Sequence, residues 1–135
     1  MSSLPQNVRP DLVPPPSEPP ICFQCSGPSI KRITQEGNPN GNAGRPYFKC
    51  SSCSKFLVFA DPRGNLPENP PCQECGEPSK QQITGSYSQT QSPFRALHYV
   101  CSLGKCDFYE PVLEAGRQKV LTADEVTSMI SQGLI

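Results

Sequence analysis

The sequence predicts a small, mainly β fold that is stabilised by bound metal and built from two similar modules in tandem. The 135 residues include 17 prolines, 10 glycines and only 35% hydrophobic residues, which leaves little apolar material for one common core. All eight cysteines fall into two sets of four, and a module of about 40 residues needs such cross-links to fold. The second set lies in a segment that repeats the first with an offset of 50 residues.

Residues 1–20 contain seven prolines and few apolar side chains. This composition favours an extended, solvated chain, so we predict a disordered leader that ends where Ile21 enters the first module. A proline-rich ligand for a partner domain is the alternative. The leader lacks a basic segment followed by an apolar run, and the longest apolar run, residues 56–60, is too short to span a membrane. We therefore expect an intracellular, reducing compartment, which favours metal-bound thiolates over disulfides.

The first module, residues 21–61, carries two C-x2-C pairs about two dozen residues apart, a spacing typical of zinc sites. The predicted ligands are Cys22, Cys25, Cys50 and Cys53. The alternatives are disulfides and a redox C-x-x-C motif. A redox motif normally occurs once, on a βαβ scaffold that is absent here. We therefore expect one zinc ion in this module.

Antiparallel strands are predicted between and after these cysteine pairs. Residues 30–34 are β-branched around a basic pair, which favours a short strand. Residues 36–44 contain Asn-Gly and Gly-Asn steps, which suit the tight reversal of a hairpin. Residues 47–50 form the returning strand, and residues 55–59 pair on as a third. Strands that present two cysteine pairs to one metal ion form a zinc ribbon.

The segment Gly44-Arg45-Pro46-Tyr47-Phe48-Lys49-Cys50, followed by Cys53 and by Phe56-Leu57-Val58-Phe59-Ala60-Asp61, resembles the GRF zinc finger family, named for its Gly-Arg-Phe signature. It departs from the family in the narrow spacing of its last two ligands, in having Phe59 where a tryptophan is expected, and in a first pair made of two cysteines, where many members use a histidine. The resemblance implies binding of single-stranded nucleic acid through basic and aromatic positions, Arg45 first, and a nuclear location.

The second module, residues 72–111, follows a short, stiff, proline-rich linker over residues 62–71. Its predicted zinc ligands are Cys72, Cys75, Cys101 and Cys106. It lacks the Gly-Arg signature, since Arg95-Ala96 stands in its place, so we expect a structural role or a different partner. His98 lies near Cys101 in sequence, but four cysteines already complete a tetrahedral site, so we place His98 on a strand surface.

The C-terminal segment, residues 112–135, is predicted to contain a short helix. Thr122 and Glu125 have the spacing of a capping box, and apolar residues recur at helical intervals until Gly133. We expect the helix to pack on the second module. Docking of the helix to a partner protein is the alternative.

The charge distribution and the chemistry of the metal sites limit the classes of function that the chain can have. The whole chain is neutral, but residues 21–64 carry six basic and two acidic residues, whereas residues 72–110 carry three basic and four acidic ones. Closed four-cysteine sites offer no open metal position, only one histidine is present, and no phosphate-cradling glycine loop occurs, so we predict a non-enzyme.

We therefore predict that the first module binds single-stranded DNA or RNA, with phosphate contacts from basic residues and base stacking on aromatic rings. The predicted contact residues are Arg45, Lys49, Lys31, Arg32, Tyr47 and Phe48. Two structural alternatives remain open: alternation along a strand requires one of Tyr47 and Phe48 to face the core, and Arg45 can brace the loop instead. A protein-interaction adaptor that uses the leader or the helix is the alternative function.

Overall fold

The computed structural model describes residues 9–37, 41–84 and 94–135. Within these ranges the chain forms two three-stranded antiparallel sheets, a two-stranded hairpin and a short helix near the C-terminus. A four-cysteine cluster accompanies each of the larger sheets. The prediction of a small, mainly β fold with two metal-binding ribbons and a C-terminal helix is confirmed. Over the same ranges, the structure contains no helix with the length and apolar character that crossing a membrane requires.

The first sheet has the strand order β1-β2-β3, and its strands lie close to the predicted positions. They are β1 (Ser29–Ile33), β2 (Pro46–Cys50) and β3 (Phe56–Phe59). A bulge between Phe48 and Lys49 shifts the register of β2 against β3. The predicted hairpin loop, residues 36–44, connects β1 to β2, and its residues 38–40 lie outside the described part of the chain.

The second sheet, with the order β4-β5-β6, repeats the local hydrogen bonding of the first. Its strands are β4 (Lys80–Ile83), β5 (Leu97–Val100) and β6 (Tyr109–Pro111). The backbone N–H of Thr34 donates to the carbonyl of Arg45 at 2.9 Å, and Thr84 donates to Ala96 at 3.0 Å in the same way. The tandem repeat read from the sequence is therefore also a repeat in backbone geometry.

The C-terminal segment adds the hairpin β7 (Leu113–Glu114) and β8 (Arg117–Gln118) and the helix α1 (Ala123–Ser131). The capping box forms as predicted, because the side chains of Thr122 and Glu125 each accept a hydrogen bond from the backbone N–H of the other residue. Apolar side chains of the helix join buried residues of the second ribbon in one core. This core contains Leu97, Leu121, Val126 and Ile135, with Ile83, Val112, Met129 and Ile130 packed against it.

The leader contacts the linker, and the linker contacts the second sheet. Residues 1–8 of the predicted leader lie outside the described part of the chain, and residues 9–20 form no helix or strand. Val13 and Asn65 nevertheless exchange two hydrogen bonds, of 2.8 and 3.0 Å. The linker also reaches β4, because the N–H of Gln81 donates to the carbonyl of Gly64 at 2.8 Å. Among the described residues, contact between the leader and the linker therefore extends back to Arg9, which bonds Glu68 at 2.9 Å.

The two ribbons contact each other near Gly104 and Val58. The first ribbon has its own core, formed by Cys22, Phe48, Cys50, Leu57 and Val58. Gly104 of the second ribbon approaches this core so closely that an added Cβ would lie 2.5 Å from Cγ1 of Val58. The glycine therefore permits the approach of the second ribbon to the first.

Candidate metal centres and the open face of the first ribbon

The first cysteine cluster has the shape of a tetrahedral zinc site. The Sγ atoms of Cys22 and Cys53 are 3.7 Å apart, and those of Cys25 and Cys50 are 3.4 Å apart. Zinc–sulfur bonds of about 2.3 Å in a tetrahedron place the sulfurs about 3.8 Å from one another. All four ligand atoms lie within 4.8 Å of one another, and all four cysteines are free of disulfides. The residues therefore fit a zinc ion, which would fix the two cysteine turns and supply structural cross-linking.

Backbone N–H groups favour the thiolate form of Cys50. The N–H groups of Cys53 and Ser52 each donate to Sγ of Cys50 at 3.4 Å. These bonds lower the pKa of the Cys50 thiol to about 6, even though desolvation raises it. A thiol that ionises near neutral pH is a ready zinc ligand.

The second cluster brings together Cys72, Cys75, Cys101 and Cys106, as predicted. Sγ of Cys75 lies 3.9 Å from Sγ of Cys101, again close to the tetrahedral spacing. The structure thus contains two groups that can each hold one zinc ion, and the predicted ligand sets match both. The thiols of Cys25 and Cys53 are exposed in the first cluster, whereas Cys75 and Cys106 are half-buried in the second.

His98 does not belong to the second cluster, but its predicted position on the strand surface is wrong. The residue is only 5% exposed, and its ring stacks on Tyr109 with the centroids 4.7 Å apart. Nδ1 lies 3.2 Å from the carbonyl of Ala96, and Nε2 lies 3.2 Å from the Gln82 amide. Burial lowers the pKa of His98 to about 4, so the ring is neutral at pH 7.

One face of the first sheet carries aromatic and basic side chains together, and we call it the open face. Residues paired directly across antiparallel strands share a face, and Arg32 pairs with Tyr47, which pairs with Phe59. The same pairing places Ile30, Lys49 and Phe56 on this face. The ring centroids of Tyr47, Phe56 and Phe59 lie 4.9 to 6.5 Å from one another. The open face is formed by Ile30, Arg32, Tyr47, Lys49, Phe56 and Phe59.

The six predicted nucleic-acid contacts separate into three groups. Arg32, Tyr47 and Lys49 lie on the open face. Phe48 faces the opposite side of the sheet and is buried in the core, with 3% of its surface exposed. Lys31 is exposed and lies on the same side as Phe48, with its Nζ 5.6 Å from the Phe48 ring centroid. Arg45, only 5% exposed, lies at neither surface. Phe56 and Phe59 were not among the predicted contacts. They are three residues apart, so strict alternation places them on opposite faces, and only the bulge in the pairing of β2 with β3 brings both rings to the open face.

Arg45 braces the first ribbon. Its Nε and one terminal nitrogen donate to the two carboxylate oxygens of Asp61 at 2.7 and 2.8 Å, and its other terminal nitrogen donates to Asn42 at 3.0 Å. The guanidinium carbon lies 3.8 Å from the ring centroid of Phe59. Burial would raise the pKa of Asp61, but the hydrogen bonds from Arg45 keep it below the usual value. With these donors engaged and the side chain buried, Arg45 is not placed to contact phosphate, and the bracing alternative describes its position.

Lys80 of the second ribbon binds the same carboxylate. Its Nζ donates to the backbone carbonyl of Asp61 at 2.7 Å, to a carboxylate oxygen at 3.3 Å and to Oδ1 of Asn65 at 3.2 Å. The residue is fully buried, and burial lowers its pKa to about 7 in spite of the neighbouring carboxylate. The sequence analysis did not find this contact. The Ala60-Asp61 ending of the family resemblance was the one signal that pointed to this carboxylate.

Comparison with known proteins supports the ribbon assignment. The family model described as a GRF-like zinc ribbon domain matches residues 19–63. No curated protein and no solved structure matches the chain. The matched range contains the first cysteine cluster and all three strands of the first sheet. The second cluster, at residues 72–106, is consistent with a further copy. Residues 19–63 are therefore a zinc ribbon of the GRF-like family.

Proposed function

We propose that the first ribbon binds single-stranded DNA or RNA on its open face, and that both zinc ions have purely structural roles. The observation that carries this proposal is the cluster of Tyr47, Phe56 and Phe59, whose centroids are no more than 6.5 Å apart, beside Arg32 and Lys49. Stacking of a base on an aromatic ring contributes about 1–3 kcal/mol, and it tolerates any base. Flanking cations can neutralise the phosphates that connect stacked bases.

The exposure of the rings favours single strands over duplexes. Phe56 is 40% exposed, and Tyr47 and Phe59 are half-buried, so they present ring surface on a sheet rather than inside a cleft. Bases in a duplex are already stacked on their neighbours, so only unpaired bases can lie on this surface without an unstacking cost. The proposal includes no catalytic step, because four thiolates complete each metal site.

The adaptor alternative has less support, because its two docking segments contact the rest of the chain. Val126, Met129 and Ile130 of the helix pack into the core of the second ribbon. In the leader, Val13 is bonded to Asn65, and Pro20 accepts a hydrogen bond from Ser29. The proposed nuclear location follows from the family resemblance and is tested by imaging the tagged full-length chain.

The test uses fluorescence anisotropy of labelled DNA and RNA oligonucleotides, single-stranded and duplex, with the zinc-loaded full chain at two salt concentrations. Arg32→Ala and Lys31→Ala form a matched pair, since both residues are exposed and basic and lie next to each other, yet they face opposite sides of the sheet. We expect Arg32→Ala to weaken single-strand binding and to reduce the salt slope by about one, and Lys31→Ala to have a much smaller effect.

A variant of the aromatic cluster tests stacking separately from charge. Phe56→Ala removes an exposed ring and should weaken single-strand binding roughly tenfold without changing the salt slope. Zinc content of two ions per chain is the control for folding in every variant. Absence of single-strand binding by the wild-type chain would overturn the proposal, as would equal losses for Arg32→Ala and Lys31→Ala.

A further inference from the structure

The carboxylate of Asp61 is shared by the two ribbons. Arg45 of the first ribbon binds both of its oxygens, and Lys80 of the second ribbon binds one of them as well as the backbone carbonyl. All three side chains are shielded from solvent, with exposures of 4% for Arg45, 0% for Lys80 and 15% for Asp61. The two ribbons therefore meet at one buried carboxylate that accepts hydrogen bonds from both Arg45 and Lys80.

The same arginine contacts the open face. Its guanidinium lies over the ring of Phe59 at 3.8 Å, and Phe59 packs edge-on against Phe56 at 4.9 Å between centroids. Phe56 in turn lies 5.5 Å from Tyr47. A continuous set of contacts thus leads from Lys80, through Asp61 and Arg45, to the three rings of the open face.

Stability alone does not account for a lysine at this position. At the corresponding place in the first ribbon, 50 residues earlier, the strand has the exposed Ile30, so the ribbon fold itself does not require a buried lysine there. Replacing a buried ion pair by an apolar side chain of similar volume is often neutral or stabilising. Lys80 instead fixes the position of Asp61, because its one terminal amino group binds both the backbone carbonyl and the carboxylate of Asp61.

We propose that Lys80 is a positioning residue, through which the second ribbon holds the aromatic rings of the open face in their binding arrangement. This inference rests on the proposed function for its consequence in nucleic-acid binding. The ring arrangement itself can be observed without any ligand. The second ribbon then affects the affinity of the first without touching the nucleic acid.

The test compares Lys80→Met and Lys80→Gln with the matched control Lys119→Met in the full zinc-loaded chain. Lys119 also belongs to the C-terminal half and forms an ion pair with Glu114, but it does not contact Asp61. Two readouts are needed: anisotropy with a labelled single-stranded oligonucleotide, and aromatic NMR spectra of phenylalanine-labelled protein. The six phenylalanine rings can be assigned by single replacements with leucine.

We expect both Lys80 variants to retain two zinc ions and to bind the oligonucleotide roughly 2- to 30-fold more weakly than the wild type. The Phe59 and Phe56 ring signals should shift or broaden in both, and neither change should occur in Lys119→Met. If at least one Lys80 variant folds with two zinc ions and keeps unchanged ring signals and affinity, the inference is overturned. If the wild type fails to bind but the ring signals respond, the proposed function fails while the positioning role stands. If neither variant retains two zinc ions, Lys80 is required for folding and the positioning role is rejected.

Discussion

The two ribbons share a backbone framework but differ in what lies on the corresponding sheet face. In the first ribbon this face presents Tyr47 and Lys49 beside an exposed phenylalanine. In the second ribbon the residues aligned with them by the repeat are His98 and Val100, and His98 is buried under Tyr109 and Gln82. The comparison shows that a repeated fold can leave one face partly exposed and use the other copy of that face for internal packing.

The ribbons also differ at the position of the signature arginine. Arg45 reaches across to Asp61, whereas Ala96 stands at the corresponding place in the second ribbon and is fully buried against a bridge to Val120. Arg95 adopts a φ of 65°, where the first ribbon has Gly44 with a φ of 78°. The backbone thus makes the same turn in both copies, but the corner is braced by an ion pair in one and by the C-terminal segment in the other.

Removal of a zinc ligand from one ribbon or the other should have the largest effect on folding and should distinguish the two ribbons most clearly. Zinc binding to structural sites contributes about 10–16 kcal/mol, which exceeds the stability of a small domain. Cys50→Ala should lose one zinc ion and unfold the first sheet while α1 remains docked. Cys101→Ala should also lose one zinc ion, but it should undock α1. Metal analysis and amide NMR spectra check both; retention of two zinc ions by either variant would contradict the assigned ligand sets.

Loss of the shared carboxylate should have the next largest effect. Asp61→Ala leaves the buried charges of Arg45 and Lys80 without their anion, so we expect a loss of about 3 kcal/mol in the free energy of unfolding. Chemical denaturation measures this loss. Glu68→Ala, which removes an exposed ion pair with Arg9, is the control and should change the midpoint little. Equal effects of the two variants would show that the buried cluster does not connect the ribbons.

A smaller effect is expected where the ribbons touch. Gly104→Ala would place a Cβ 2.5 Å from Val58 at a φ of +70°, and it should lower the free energy of unfolding by about 2 kcal/mol more than Gly116→Ala does. Gly116 has a φ of +78° and no atom within 4 Å of an added Cβ, so it reproduces the backbone cost alone. Chemical denaturation of the two variants gives the difference between their free energies of unfolding. A difference near zero would argue against close packing of the ribbons.

The smallest effect concerns His98 and acid pH. The unfolded chain protonates this residue below about pH 6.5, but burial lowers the folded pKa to about 4. The free energy of unfolding should therefore fall as the pH drops from 6.5 toward 4, by about 1 kcal/mol at pH 5.5. His98→Gln should lack this part of the pH dependence. Chemical denaturation of the wild type and of His98→Gln at pH 7 and 5.5 separates the contribution of His98 from zinc loss, because zinc loss affects both proteins. Equal pH dependence of the two proteins would mean that His98 is not buried in the neutral form.

Local patterns in the sequence were sufficient to predict the cysteine ligands, the strands of the first sheet and the helix, but not the hairpin of β7 and β8. The cysteine spacing defines both metal sites, and the Thr122 to Glu125 spacing defines the start of α1. These signals are local because a cysteine turn or a helix cap depends on residues a few positions apart.

Contacts between distant segments could not be predicted in this way. Alternation required one of Tyr47 and Phe48 to be buried, but the choice of Phe48 depends on which face meets Cys22 and Val58. The burial of Arg45 depends on Asp61, 16 residues later, and that of Lys80 depends on the meeting of the two ribbons. The family resemblance placed Arg45 first among the ligand contacts, whereas its hydrogen bonds place it inside the fold.

The most direct test of the difference between the ribbons is an NMR titration of the ¹⁵N-labelled, zinc-loaded full chain with a single-stranded oligonucleotide. We predict that amide signals of β1, β2 and β3 shift, with the largest changes near Arg32, Tyr47 and Phe56, while signals of β5 and β6 stay in place. Shifts centred on His98 and Tyr109, or equal shifts in both ribbons, would contradict the assignment of binding to the open face.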